Sequence, residues 1–171
     1  GLIKVANKLV PCKTSGIMQK WDGYSLIDMS TRYGPSSPYS IANVEGYDFF
    51  ANQYGHYGFG GDMPQILSHV VERQFKNADN TGIAGTAIST MPGGVHEHDY
   101  YLSIGTVTDD FTKRIISDAI LKYDFHKEEY LDYSFANKPT SFLSYKDING
   151  VQQLIFGDAN GQVYQMDNTT S

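Results

Sequence analysis

LIFGDANGQVYQMDNTTS, Leu154 to Ser171, reads as strand, tight turn, strand. Leu154, Ile155 and Phe156 form an apolar, β-favouring run. Asp158-Ala159-Asn160-Gly161 follows, and Asn-Gly is the pair that supplies two positive-φ residues to a type I′ hairpin. Val163, Gln165 and Asp167 then alternate with Tyr164 and Met166. That period of two marks a strand whose faces meet different surroundings.

Working upstream, the same kind of unit recurs. An aromatic or apolar strand ending in Asp stands at KWDG (Asp22), FGGD (Asp62), KYDF (Asp124) and YQMD (Asp167). A second landmark precedes it in YDFFANQYG, YYLSIGTV and QLIFGDANG, each an aromatic or apolar run closing on Gly or a polar turn. Two landmarks in one order, repeated at about 40–60 residues, are the mark of propeller blades. An antiparallel sandwich with chance similarity between hairpins is the competing architecture.

The strands follow from the same reading. Residues 2–10 form one strand, and 17–30 form two about the turn Asp22-Gly23. Tyr33 to Pro38 is a connector. Residues 40–68 hold three or four strands, with Tyr47, Phe49 and Ala51 on one face and Asp48, Phe50 and Asn52 on the other. A short helix is expected over 69–77. In the next unit TAISTM (86–91) is the inner strand and DYYLSIG the second, and Thr106 to Arg114 is a polar hairpin loop. The last unit begins at Pro139. The expectation is an all-β fold, a β-propeller segment of about three to four antiparallel blades. It is a single domain over 1–171 with blades at 1–30 (partial), 39–69, 84–136 and 138–171 (partial). About three strands before residue 31 and three after 139 leave open edges, so a larger ring is expected, completed by a longer chain. The chain begins at Gly1 rather than Met, and no signal peptide is visible.

Composition agrees with sheets and turns: 13 Tyr, 9 Phe and 17 Gly, with only 19% charged residues. The formal charge of −6, with no basic stripe, argues against direct nucleic-acid binding. No apolar run is long enough for a membrane span. A lone cysteine, Cys12, excludes an internal disulfide framework and reads as a buried structural thiol.

A resemblance can now be named. LIFGDANGQVYQMD resembles the repeat of pyrroloquinoline-quinone-type propellers, whose blades run strand, Gly turn, then an aromatic-rich strand ending in Asp. SSPYSIANVEGYDFFANQYGHYGFGGDMPQILS, HDYYLSIGTVTDD, AILKYDFHKEEYLDYSF and LIFGDANGQVYQMD together are similar to propeller-bearing virion structural proteins of tailed bacteriophages. Those occur in the tail and at the head–tail connection, among them packaged-DNA stabilisation and hub proteins. The resemblance implies a non-enzymatic structural role in the virion, with other virion proteins as partners and a symmetric homo-oligomer in the particle.

Catalytic and ligand chemistry is thin. His96-Glu97-His98-Asp99 is the most tempting cluster, since His96 and His98 on a strand share a face as a metal pair requires. A third ligand is not evident and the HExxH spacing is absent, so a solvated strand start is the reading. His56, His69 and His126 stand alone among aromatic or charged neighbours and take packing or surface roles. Asp147-Ile148-Asn149-Gly150 and Asp158-Ala159-Asn160-Gly161 offer calcium-type oxygens without the rest of an EF-hand, and hairpin chemistry accounts for both. Asp109-Asp110 is a weaker acidic pair, and Asn168-Thr169-Thr170 matches a glycosylation sequon. Trp21 has no partner for a quinone site, Gly93-Gly94 lacks a P-loop Lys, and no G-x-S-x-G elbow is present. No catalytic residue, cofactor or metal is therefore assigned.

Tyrosines near turns are the remaining signal. Tyr33, Tyr39 and Tyr54 are assigned as an interaction surface, with Tyr24 and Tyr57 beside them in the pattern. The alternative for such rings is to fill gaps between blades. Three functions compete: a virion assembly module, a receptor- or glycan-binding propeller, and a propeller enzyme. The last needs convergent acidic or His residues, and no such set is visible.

Overall fold

The computed structural model describes residues 2–5, 8–13, 17–21, 23–69, 71, 88–108 and 112–166. The fold is all-β, built from several small antiparallel sheets, and no closed barrel or ring forms among these residues. Every ladder pairs strands that follow one another in the chain. The strands fall into four consecutive meanders.

In the first, β1 (Leu2–Val5) pairs β2 (Lys8–Pro11), and β3 (Met18–Trp21) pairs β4 (Leu26–Ser30). A bridge between Cys12 and Met18 joins the two pairs, and Lys13 N–H donates to Ile17 O at 2.8 Å. The second meander is β5 (Ala42–Val44), β6 (Tyr47–Asn52), β7 (Gly55–Phe59) and β8 (Gln65–Ile66). The third is β9 (Gly93–His96), β10 (Asp99–Thr108), β11 (Ile115–Asp124) and β12 (Glu129–Ser134). The fourth is β13 (Ser141–Lys146), β14 (Gln152–Gly157) and β15 (Val163–Met166). The repeated sequence landmarks keep register with this order. The aromatic run is the second strand of the last three meanders, and Asp62 and Asp124 lie at or just past the end of the third strand of theirs, while Asp22 and Asp167 lie outside the described residues.

Period-2 alternation feeds three apolar layers, one between each meander and the next. In β6, Phe49 and Ala51 pack toward β10 and β11, against Tyr100, Leu102, Leu121 and Tyr123. Phe50, between them in sequence, faces the opposite way, toward Ile3, Val10, Met18, Tyr57 and Phe59. The third meander is two-faced as well. Tyr101 and Ile120 turn away from Tyr100 and Leu121 to meet Leu154, Phe156 and Met166. Burial on both sides leaves the whole of β7 and all of β6 but Tyr47 buried, the polar Asp48, Asn52 and His56 included.

Four sequence expectations are corrected. Residues 2–10 are a hairpin and not one strand: Leu2 pairs Pro11 and Ile3 pairs Val10. That pairing lets Ile3 and Val10 bury together, and it raises the count before residue 31 to four strands. The inner strand of the third meander is β9, Gly-Gly-Val-His, and not residues 86–91. Thr86 and Ala87 lie outside the described residues, and Ser89-Thr90 is a turn. β10 extends to Thr108, which shortens the hairpin loop expected at 106–114. The helix expected over 69–77 lies outside the described residues except for His69, which is exposed, and Val71. Asp109, Asp110 and the Asn168 sequon lie outside them altogether.

The fourth correction concerns the two D-x-N-G segments. A type I′ turn needs φ > 0 at both central residues, but only Gly150 (φ +80) and Gly161 (φ +78) are left-handed there. The loops are longer, and each is held by its leading Asp. Asp158 Oδ1 accepts from Asn160 N at 2.8 Å and Gln162 N at 2.9 Å. Asp147 Oδ1 accepts from Asn149 N and Val151 N, both at 2.8 Å. These are Asx turns in which the backbone takes the oxygen that a calcium reading would assign to an ion. The bond from Gln162 N, and after it that from Asn160 N, hold the Asp158 carboxyl below its ordinary range. Asp158→Ala is expected to destabilise the fold and lower the urea midpoint, as loss of a capping carboxylate does. Asp158→Asn keeps an acceptor and is expected to recover much of that loss in urea titration.

Cys12 is buried, and its thiol donates to Val10 O at 3.4 Å. Burial pushes the thiol up to about 11, so the reactive thiolate is scarce at neutral pH. Labelling by a thiol-disulfide reagent is expected to be at least tenfold slower in the native protein than in urea. Equal rates would show that the site is open.

Candidate functional site

The assigned tyrosines separate into different environments. Tyr33 and Tyr54 are brought together by Arg32, whose guanidinium lies 4.4 Å from the Tyr54 ring centroid and 5.9 Å from that of Tyr33. Tyr33 also leans on Tyr57, with centroids 5.8 Å apart. Tyr57 is in β7 and buried, so it packs the layer between the first two meanders. Tyr39 is exposed on the one-turn 3-10 helix Pro38–Ser40, whose first turn is capped by Ser37 Oγ accepting from Tyr39 N. Tyr24 is exposed in the β3–β4 connection. Beside Arg32 and Tyr33 runs a shallow cleft of ≈ 250 Å³, which also reaches Asp28 and Met63.

The histidines are arranged differently from their spacing. His96 ends β9, while His98 sits in the two-residue turn to β10 and is not in a strand. The chain reverses at Glu97 (φ +54), so His96 and His98 do not form a pair. His96 Nδ1 lies 3.4 Å from Ser144 Oγ on β13, in the fourth meander. His98 turns toward the second meander and hydrogen-bonds Glu45 through Nδ1. His126, in the β11–β12 turn, reaches the same carboxylate: its Nε2 is 3.2 Å from Oε1 and 3.3 Å from Oε2. The two imidazoles stack with centroids 4.1 Å apart. His126 is therefore not alone.

Local turn chemistry presents all three groups. Glu45 (φ +50) and Gly46 (φ +89) make the I′ turn between β5 and β6, steadied by Asn43 Oδ1 accepting from Gly46 N. A left-handed glutamate costs about 1 kcal/mol or more relative to glycine there. Asp124 Oδ1 accepts from His126 N and Lys127 N, each at 3.0 Å, and so sets the β11–β12 turn. Phe125 N donates to His98 O at 3.1 Å, which ties that turn to the β9–β10 turn. Hydrogen bonding to His126, and after it to His98, holds the Glu45 carboxyl below its ordinary range. Among the described residues, these three are the group of His, Cys, Asp and Glu whose ligating atoms all lie within 4.8 Å of one another.

Below the cluster a cleft of ≈ 370 Å³ opens between the second and third meanders. Tyr47, just after the Glu45-Gly46 turn, and Phe125, first in the β11–β12 turn, face each other there with centroids 5.4 Å apart, and Asp62, Gln65 and Glu128 supply its polar wall. Among the described residues, no helix is long and apolar enough to cross a membrane.

No protein-family model and no curated protein matches the chain. Among solved structures, the crystal structure of the computationally designed Ika8 protein is similar, with a TM-score of 0.55 at 14% sequence identity. The match covers 96% of this chain and 44% of that one, so the chain spans less than half its length. At this identity the likeness is one of all-β fold and carries no function.

Proposed function

We propose that this chain is a β-propeller segment acting as a non-enzymatic structural component of a tailed-bacteriophage virion, at the head–tail connection or in the tail. One observation supports the propeller reading above the others. Among the described residues, the principal contacts between meanders all involve the first strand of one of them: β1 with β6, β5 with β9 and β10, and β9 with β13 and β14. Sheets that converge on their first strands form wedges, and wedges in series build a ring. Among the described residues, the fourth meander also carries an exposed, mixed face. Leu143, Tyr145 and Val163 share the face of its sheet opposite to Phe142, Leu154 and Phe156 with Ser141, Gln153 and Gln165, and all three are exposed. A further blade would cover that face. The virion assignment rests on the sequence resemblance to phage propeller proteins.

The test is to purify particles of the source phage, detect this chain by mass spectrometry, and trace it in a cryo-EM reconstruction. The expected result is density for further blades, repeated about the particle axis, with virion proteins as neighbours. Absence of the chain from particles sinks the reading.

A receptor- or glycan-binding module is the second reading, favoured by the Arg32, Tyr33 and Tyr54 cluster beside an open cleft. Aromatic rings with an adjacent cation suit sugar or protein contact. On this reading, Tyr54→Ala weakens adsorption to host cells by about tenfold while leaving the melting temperature within a few degrees. Unchanged adsorption removes it.

A further inference from the structure

We propose that Glu45, His98 and His126 form a binding site for a divalent transition cation of the zinc class, which ties the second meander to the third. The site is separate from the virion reading and does not depend on it. Two imidazole nitrogens and one carboxylate are the donor set that zinc takes when water fills the fourth position. The nitrogen share disfavours magnesium and calcium, which prefer oxygen ligands alone.

The geometry carries the assignment. His98 Nδ1, His126 Nε2 and the Glu45 oxygens already lie within 4.8 Å of one another. Zinc–ligand distances near 2.0–2.2 Å place neighbouring donors about 3.3 Å apart in a tetrahedral site. His126 already stands 3.2 and 3.3 Å from the two Glu45 oxygens, and His98 is closer still to Oε1. The adjustment needed is in ring orientation. In the stacked pair the interplanar angle is 24°, and both lone pairs must turn onto a common point. The rings have room to turn, since the side chains of His98 and His126 are 52% and 54% exposed. The backbone that carries them is fixed by the Glu45-Gly46 turn, the Asp124 cap and the bond between Phe125 N and His98 O.

Because the ligands come from two meanders, a bound cation closes a long loop: Glu45 is 53 residues from His98 and 81 from His126. The cation binds the folded state in preference to the unfolded chain, and so raises stability with the logarithm of its concentration once that exceeds Kd.

The experiment is isothermal titration calorimetry of the tag-free chain with zinc chloride, with magnesium chloride as comparison, alongside thermal melts. One zinc per chain is expected, with magnesium giving no heat at the same concentrations. His98→Gln, His126→Gln and Glu45→Gln should each weaken zinc binding by about tenfold or more, given that loss of mere outer-shell partners already costs about that much. His69→Gln, at an exposed position outside the cluster, should bind as the parent does. Zinc should raise the parent's melting temperature and leave that of His126→Gln unmoved. All three ligand positions are solvent-exposed turn residues, and metal-free melts verify that the variants fold. No stoichiometric zinc binding, or binding that survives all three substitutions, overturns the proposal.

Discussion

Acidification from pH 7 to pH 4 is expected to remove about 3 kcal/mol of stability through one side chain, His56. The ring is fully buried in β7 and stacked on Tyr100, with centroids 4.6 Å apart and planes within 9°. Its Nδ1 lies 2.6 Å from Tyr130 Oη, and its Nε2 has no hydrogen-bond partner among the described residues. Burial pushes its pKa down to about 3, from an ordinary 6.5. The folded state therefore stays neutral while the unfolded chain takes up a proton below pH 6.5. Stability is fully present above that pH, falls by about 1.4 kcal/mol for each unit below it, and levels off near pH 3. Asp48 acts in the opposite direction. Its burial raises its carboxyl above the ordinary range, so protonation there favours the fold. The check is a series of urea titrations from pH 7 to pH 4 on the parent and on His56→Phe. The variant keeps a ring in the stack and removes the proton site, so its profile should be nearly flat above pH 5. A flat profile in the parent, or equal slopes in both, sinks the account.

Gly94→Ala is expected to cost about 2–3 kcal/mol and to lower the melting temperature by roughly 4–12 °C. A Cβ at Gly94 would overlap the Cβ of Phe142 on β13. That atom is fixed to the backbone, so relief requires the third and fourth meanders to move apart. The neighbouring Gly93 is pressed on the opposite face, where a Cβ would meet Ser40 O at 2.6 Å and Tyr100 Oη at 2.7 Å. Tyr100 Oη donates to Ser40 O at 2.6 Å across that glycine. β9 is therefore squeezed from both sides. Gly157→Ala is the comparison: its Cβ would meet the Ser141 hydroxyl at 3.1 Å, a group that can rotate away. If both alanines melt alike, close approach at β9 is not what limits the fold.

Those glycines also show why local pattern puts the inner strand of the third meander in the wrong place. Strand propensity penalises Gly, and Thr86 to Met91 offers better β-formers. What selects Gly93-Gly94 is the distance between neighbouring sheets, which no local pattern expresses. The Asn-Gly turns failed for a related reason. The dipeptide alone predicts a two-residue turn, whereas Asp147 and Asp158 each capture two backbone N–H groups and set a longer loop. Glu45-Gly46, by contrast, does make a two-residue turn with both residues left-handed.

The candidate site was legible only in fragments. His98 drew attention beside His96, on the premise that both lie on one strand. The turn at Glu97 removes that premise and sends His98 to Glu45 and His126, neither of which carried a signal of its own.

By itself, the chain determined the all-β class, the order of the meanders and the faces of their strands. Alternation assigns each residue to a side, and antiparallel pairing between chain neighbours is a local event. The tertiary structure alone decided which hairpin tips meet, where two glycines must replace side chains, and that a glutamate lies against two histidines 53 and 81 residues away. Those outcomes depend on the angles and spacing between packed sheets, and these are set by the summed side-chain volumes of three apolar layers rather than by any one segment.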